Sequence, residues 1–94
     1  DAALLEVNNE AVTLRDSLER PYPAELRARL ERAVRARHAA IDEIGSLHSA
    51  IGQTFAATAL ELLERNALQP TDVAAIGSHG QTIGHGIEGV TPYT

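Results

Sequence analysis

The stretch Ile76-Gly77-Ser78-His79-Gly80-Gln81-Thr82 decides how the rest of the chain is read. The apolar run Val73-Ala74-Ala75-Ile76 leads into it. That run reads as a buried strand, because it is too short for a helix. At Gly77 the character changes. Ser78, His79, Gln81 and Thr82 can all hydrogen-bond, and glycines stand at 77 and 80. Glycine lets a backbone take positive φ or approach a ligand closely. A strand that ends in such a polar turn is where an open α/β sheet binds its ligand. The segment therefore predicts an α/β fold whose helices hold a central strand, with the site at the strand's end.

Working back from this turn, Ala2-Ala3-Leu4-Leu5-Glu6-Val7 is an apolar run that reads as a strand. Asn8-Asn9 suits a turn, since Asn tolerates left-handed backbone angles. Val12 and Leu14 then alternate with Thr13 and Arg15, which completes a hairpin signal. The second strand is expected to reach about Glu19, before Pro21 and Pro23 end it. Pro23 suits the first turn of a helix, where a missing N–H costs nothing. Leu26, Leu30, Ala33 and Val34 recur at helical spacing. Glu25 with Arg29, and Glu31 with Arg35, are spaced for ion pairs. This Arg-rich stretch can be read as an anion or phosphate surface, but a solvated helix face is the preferred reading.

A second, longer helix is expected from about Ala40–Asp42 to Asn66. Its stripe is Ile41, Ile44, Leu47, Ile51, Phe55, Ala59 and Leu62 or Leu63. Gly45 and Gly52 each weaken a helix by about 1 kcal/mol against alanine. They predict a close backbone neighbour, with Gly52 facing it. His48, beside the stripe, reads as a half-buried structural residue rather than a ligand. Residues 66–72 close the helix. Five of the seven glycines fall between Gly77 and Gly89, and Ile83 to His85 is a candidate short strand returning near Thr91.

Composition narrows the chemistry. The chain has 94 residues, no cysteine and a formal net charge of −5. Disulfides and thiolate catalysis are excluded. Non-specific nucleic-acid binding, which depends on neutralising phosphates, is disfavoured. No transmembrane run or signal-peptide pattern is present, so no membrane partner is expected. Ser78 and His79 are adjacent on an extended backbone and point to opposite faces, so they do not make a nucleophile–base pair. His79, His85 and Glu88 do not match a standard zinc spacing, and no metal site is assigned. No Walker-type phosphate loop occurs. His79, Gln81 and Thr82 are better read as donors and acceptors for a hydroxyl-rich ligand such as a sugar.

The wording of these segments is more specific than their pattern. Ile-Gly-Ser-His-Gly-Gln-Thr, then Ile83-Gly84-His85 and Thr91-Pro92-Tyr93-Thr94, resembles the "GxHGQT" region of the anhydro-N-acetylmuramic acid kinases. Leu47 to Ala59 with Leu62-Leu63 is similar to that family's "LxxxxGxxFAxAxxxLL" helix. The resemblance implies an actin-like, sugar-kinase and Hsp70 (ribonuclease H-like) domain with an N-terminal hairpin, two helices and a central strand.

It also implies that residues 1–94 are a partial N-terminal domain of a two-domain sugar kinase. Most of the "SGTSxDGxD" nucleotide loop and the catalytic base would lie outside the segment. The implied reaction opens the 1,6-anhydro ring of anhydro-N-acetylmuramic acid with water and phosphorylates O6 from ATP with Mg²⁺. The product is N-acetylmuramic acid 6-phosphate, in bacterial cytoplasmic cell-wall recycling.

By the same resemblance, Asp1 is the last residue of the nucleotide loop. His79, Gln81 and Thr82 line the sugar side of the cleft, while Gly84 departs from the larger residue that members often carry. No catalytic residue falls in the segment, which alone is expected to be inactive and poorly folded. A homodimer of the intact enzyme is one assembly compatible with this reading. The competing class is a small non-catalytic α/β module that binds a partner through its helical faces.

Overall fold

A computed structural model describes residues 1–84. The chain divides into two compact units. One comprises Asp1–Pro21 with Gly52–Gly77, and the other Tyr22–Ile51 with the chain from Ser78 onward. The elements run β1 (Ala2–Val7), β2 (Val12–Leu18), α1 (Ala24–Ala36), α2 (Ile41–Arg65) and a short 3-10 turn (Pro70–Asp72). This is an α/β chain with one antiparallel hairpin and two helices.

In the first unit, β1 and β2 pair antiparallel around Asn8. The Asn8 Oδ1 accepts from the backbone N–H groups of Glu10 and Ala11, each at 2.9 Å. The expected hairpin therefore forms, and β2 ends at Leu18. A β-bulge interrupts its ladder. Leu4 pairs with Asp16 but Leu5 pairs with Leu14, so Arg15 is an extra residue in a β-bulge. A bulge breaks the two-residue alternation. It puts Leu18 on the opposite side of the ribbon from Val12 and Leu14. Leu18 is buried, whereas the cross-strand pairs Leu5/Leu14 and Val7/Val12 are all more than half exposed.

The other buried side chains of this unit come from the C-terminal half of α2: Thr58, Leu62 and Leu63. The Thr58 hydroxyl is satisfied by the carbonyl of Thr54 at 2.9 Å. Asp16 of β2 accepts from Arg65 Nε and Asn66 Nδ2, both at 2.9 Å. Arg20 Nε donates to Glu61 at 3.1 Å. Beyond α2, the Gln69 N–H donates to the Asp72 carboxylate at 2.7 Å and closes the 3-10 turn.

In the second unit, Leu26 and Leu30 of α1 are buried, as are Leu47 and Ile51 of α2. Pro23 caps α1, and its carbonyl accepts from the Arg27 N–H at 2.9 Å. The expected ion pairs of α1 are rearranged. Arg29 does not pair with Glu25 but reaches Glu43 at 2.8 Å and the Ser46 hydroxyl at 2.8 Å. Glu31 pairs with Arg27 at 3.1 Å instead of Arg35.

Several further expectations fail. Val73 to Ile76 is not a strand, and Ile76 is 74% exposed. Strand structure needs a ladder partner for its backbone groups. Among the described residues β1 and β2 pair only with one another, so an apolar run does not suffice. Gly52 and Gly45 are exposed, and a Cβ at either would meet nothing within 4 Å. The reason is helical phase: Leu47, Ile51, Thr58 and Leu62 define the buried side, and Gly52 lies about 100° from Ile51. His48 is exposed for the same reason. Ile41 and Ile44, at the start of the stripe, are exposed as well. The candidate strand from Ile83 is irregular through Gly84; its His85 and Thr91, like Glu88, lie outside the described residues.

Candidate functional site

The second unit contains a groove of about 260 Å³. One wall is α1, which contributes Arg27, Glu31 and Arg35 at helical spacings of four. Leu30, Val34 and Ile83 supply apolar surface, and Tyr22, Gln81 and Thr82 supply neutral polar groups. The polar turn thus meets a residue 59 positions earlier: the Tyr22 hydroxyl donates to Gln81 Oε1 at 2.8 Å. Gln81 Nε2 in turn donates to the Thr82 carbonyl at 3.0 Å. These bonds use one lone pair and one N–H of the amide, whose inventory holds one more of each.

Gly80 has φ +71°, a left-handed conformation that glycine takes without steric cost. Its N–H lies 3.3 Å from the Ser78 hydroxyl, a long bond across the turn. Gln81 and Thr82 are exposed and line the groove. His79 is exposed too but does not line it, so the three expected sugar-binding residues are only partly brought together. Tyr22, Arg27 and Arg35 were not singled out for this site. The pairing of Tyr22 with Gln81 leaves no local signal, because nothing in a linear pattern links positions so far apart.

None of the titratable groups with clear shifts lines this groove. The Arg65 guanidinium, with Asn66, holds the Asp16 carboxyl well below the usual carboxylate range. Arg29 lowers Glu43 in the same sense, chiefly through their hydrogen bond.

Asp1, the expected nucleotide-loop residue, is exposed. Among the described residues there is no group of three or more His, Asp or Glu that could hold a metal ion. No helix among the described residues is long and apolar enough to cross a membrane.

The family model for anhydro-N-acetylmuramic acid kinase matches residues 1–94. Curated proteins named anhydro-N-acetylmuramic acid kinase are similar over nearly all of the chain. The Gloeobacter violaceus protein is 38% identical over 89 residues, covering 90% of this chain and 24% of its own length. The Vibrio vulnificus protein is 34% identical and one from Legionella pneumophila 35% identical, each over 94 residues, all of this chain and 25% of the relative. No solved structure matches. The chain belongs to the anhydro-N-acetylmuramic acid kinase family. It spans about a quarter of the length of the curated relatives it matches.

Proposed function

We propose that this chain supplies part of the N-terminal domain of a two-domain kinase of the actin-like and sugar-kinase class. The intact protein opens the 1,6-anhydro ring of anhydro-N-acetylmuramic acid with water. It transfers the γ-phosphoryl of ATP, with Mg²⁺, to the sugar O6. The product is N-acetylmuramic acid 6-phosphate, and the setting is bacterial cytoplasmic recycling of cell-wall sugars.

The observation that carries the reading is the groove in which Gln81 and Thr82 meet Tyr22 beside apolar surface. Phosphoryl transfer needs a phosphate cradle, a metal and an oriented acceptor hydroxyl. The segment's share is orientation. Gln81 has no useful basicity near neutral pH, so it acts by hydrogen bonding alone. Tyr22 fixes which way the amide faces, which leaves its remaining N–H and lone pair for sugar hydroxyls. Thr82 adds a hydroxyl to the same wall, and His79 is read as a contact from the rim of the turn. Nucleotide and metal are held by residues other than these, with Asp1 at the edge of the nucleotide loop.

Steady-state kinetics of the intact enzyme, with each substrate varied in turn, test this. One lost hydrogen bond to a neutral group costs about 0.5–1.5 kcal/mol, and more when its partner is stranded. Gln81→Ala removes the bond from Tyr22 as well. It should lower kcat/KM for the anhydro-sugar by roughly ten-fold to a few hundred-fold, with the KM for ATP little changed. Unchanged sugar kinetics, or a defect confined to the ATP KM, would put this turn on the wrong side of the cleft.

A further inference from the structure

The groove carries a charge that a neutral sugar does not need. Acidic residues outnumber basic ones in the whole chain, 13 to 8. On the groove wall the balance is reversed, with two arginines to one glutamate, at positions 27, 31 and 35 of α1. Arg27 occupies the Glu31 carboxylate at 3.1 Å. Among the described residues no carboxylate pairs with Arg35, which leaves it as the unbalanced cation of the lining. Its neighbours there are Leu30, Val34 and Ile83. Arg35 and Val34 are both exposed, so the guanidinium is open to solvent at the groove wall.

We propose that Arg35 binds the carboxylate of the sugar acid, while Tyr22, Gln81 and Thr82 bind its neutral hydroxyl and amide groups. This assignment rests on the sugar-binding reading of the groove given above. Three features of the lining fit such a ligand. The planar guanidinium presents two parallel N–H donors that match a carboxylate, a geometry a lysine cannot reproduce. The neutral polar groups come from a different segment of chain, so a ring carrying its acid on one side and its hydroxyls on the other meets complementary chemistry on both. The volume of about 260 Å³ has room for one sugar residue. Arg35 is then a specificity-determining residue, which separates the acid from neutral amino sugars of the same size.

Arg35 also sits in the last turn of α1, where a cation is favoured by the helix dipole. That role would show in stability and leave substrate choice untouched. The discriminating readout is therefore the ratio of kcat/KM for the sugar acid to that for its methyl ester. Both are measured in the intact enzyme, for wild type, Arg35→Gln and Arg35→Lys. A hydrogen bond to a charged group predicts that Arg35→Gln lowers this ratio by roughly ten- to hundred-fold through the KM of the acid. Arg35→Lys, which keeps the charge and loses the fork, should recover part of it. A ratio unchanged by Arg35→Gln overturns the assignment, as does a wild-type enzyme that handles acid and ester alike; in both cases the sugar-kinase reading stands. A wild-type enzyme that phosphorylates neither compound overturns both.

Discussion

Two regions built from comparable residue types do opposite things with their polar groups. At the end of β2, Asp16 is held by Arg65 and Asn66, and Arg65 also donates to the Ser17 carbonyl at 2.9 Å. Asn66 spends its amide on Asp16 and on the Leu62 carbonyl. Leu18, Leu62 and Leu63 are buried in the same unit. This region is closed: its polar atoms answer one another. The turn at 77–82 has the same kind of hydrogen-bonding inventory but exposes Ser78, His79, Gln81 and Thr82. Among the described residues its long-range hydrogen bond is that from Tyr22 to Gln81. A satisfied network specifies structure, whereas one with donors and acceptors to spare can take a ligand. Closure, more than composition, separates scaffold from candidate site.

The comparison breaks first if the closed region is not what stabilises its unit. Leu62 is 3% exposed, and truncation of a buried leucine typically costs about 2–5 kcal/mol. Leu62→Ala should give the largest loss of stability of the variants discussed. It would be read as a lowered denaturant midpoint in the intact protein, with sugar KM little changed in whatever fraction stays folded. A midpoint within error of wild type would show that Leu62 is not a core residue of the native protein.

The closed region was also the more legible of the two, though not in its details. Both helices follow from the spacing of Leu26 and Leu30 and of Leu47, Ile51 and Leu62, because helical phase is a local property. The hairpin follows from Asn8 between two apolar runs. The bulge at Arg15 does not follow, and it decides that Leu18 is buried while Val12 and Leu14 are exposed. A one-residue slip in a ladder reverses every face, and the sequence carries no mark of it. Gly52 misled because a helical glycine signals either close packing or a tolerated weakness, and only the helix phase separates the two. Val73 to Ile76 misled because strand structure belongs to a pair of segments and not to one. At the site, Gln81 and Thr82 were visible as chemistry in a glycine-bracketed turn. Tyr22 was not, and the Arg-rich stretch holding Arg35 read as a solvated face in preference to an anion surface, since what makes both relevant is a groove assembled from distant positions.

A smaller effect sharpens the open side of the comparison. A Cβ at Gly80 would meet nothing within 4 Å, so an added methyl is not excluded by packing. The cost lies in φ +71°, which disfavours an L-residue by roughly 1–2 kcal/mol. Gly80→Ala should therefore shift the turn and raise the sugar KM, with no loss of the buried core. Gly80→Asn should be milder, since Asn tolerates left-handed angles. Equal, near-wild-type sugar kinetics for both variants would mean that the positive φ is not needed for binding.

The smallest expected effect concerns the charge at the centre of the closed region. Hydrogen bonds from Arg65 and Asn66 hold the Asp16 carboxyl well below its ordinary range in the folded protein. An unfolded aspartate titrates near pKa 3.9, approximately. A group whose pKa is depressed on folding adds stability above its unfolded pKa and loses it as pH falls toward the folded value. The contribution of Asp16 should thus be fully present at neutral pH and fade on acidification below about pH 4. Arg65 is half exposed and the pair is open to solvent, so the effect is modest and weakened by salt. Other carboxylates titrate over the same range, which makes the difference between wild type and Asp16→Asn the proper readout. That difference in unfolding midpoint should be largest near neutral pH and shrink as the pH drops through the carboxylate range. It should also contract in high salt. A difference that stays constant on acidification would show that Asp16 contributes through shape and neutral hydrogen bonding. Its charge would then add nothing to the closure that sets this region apart from the turn.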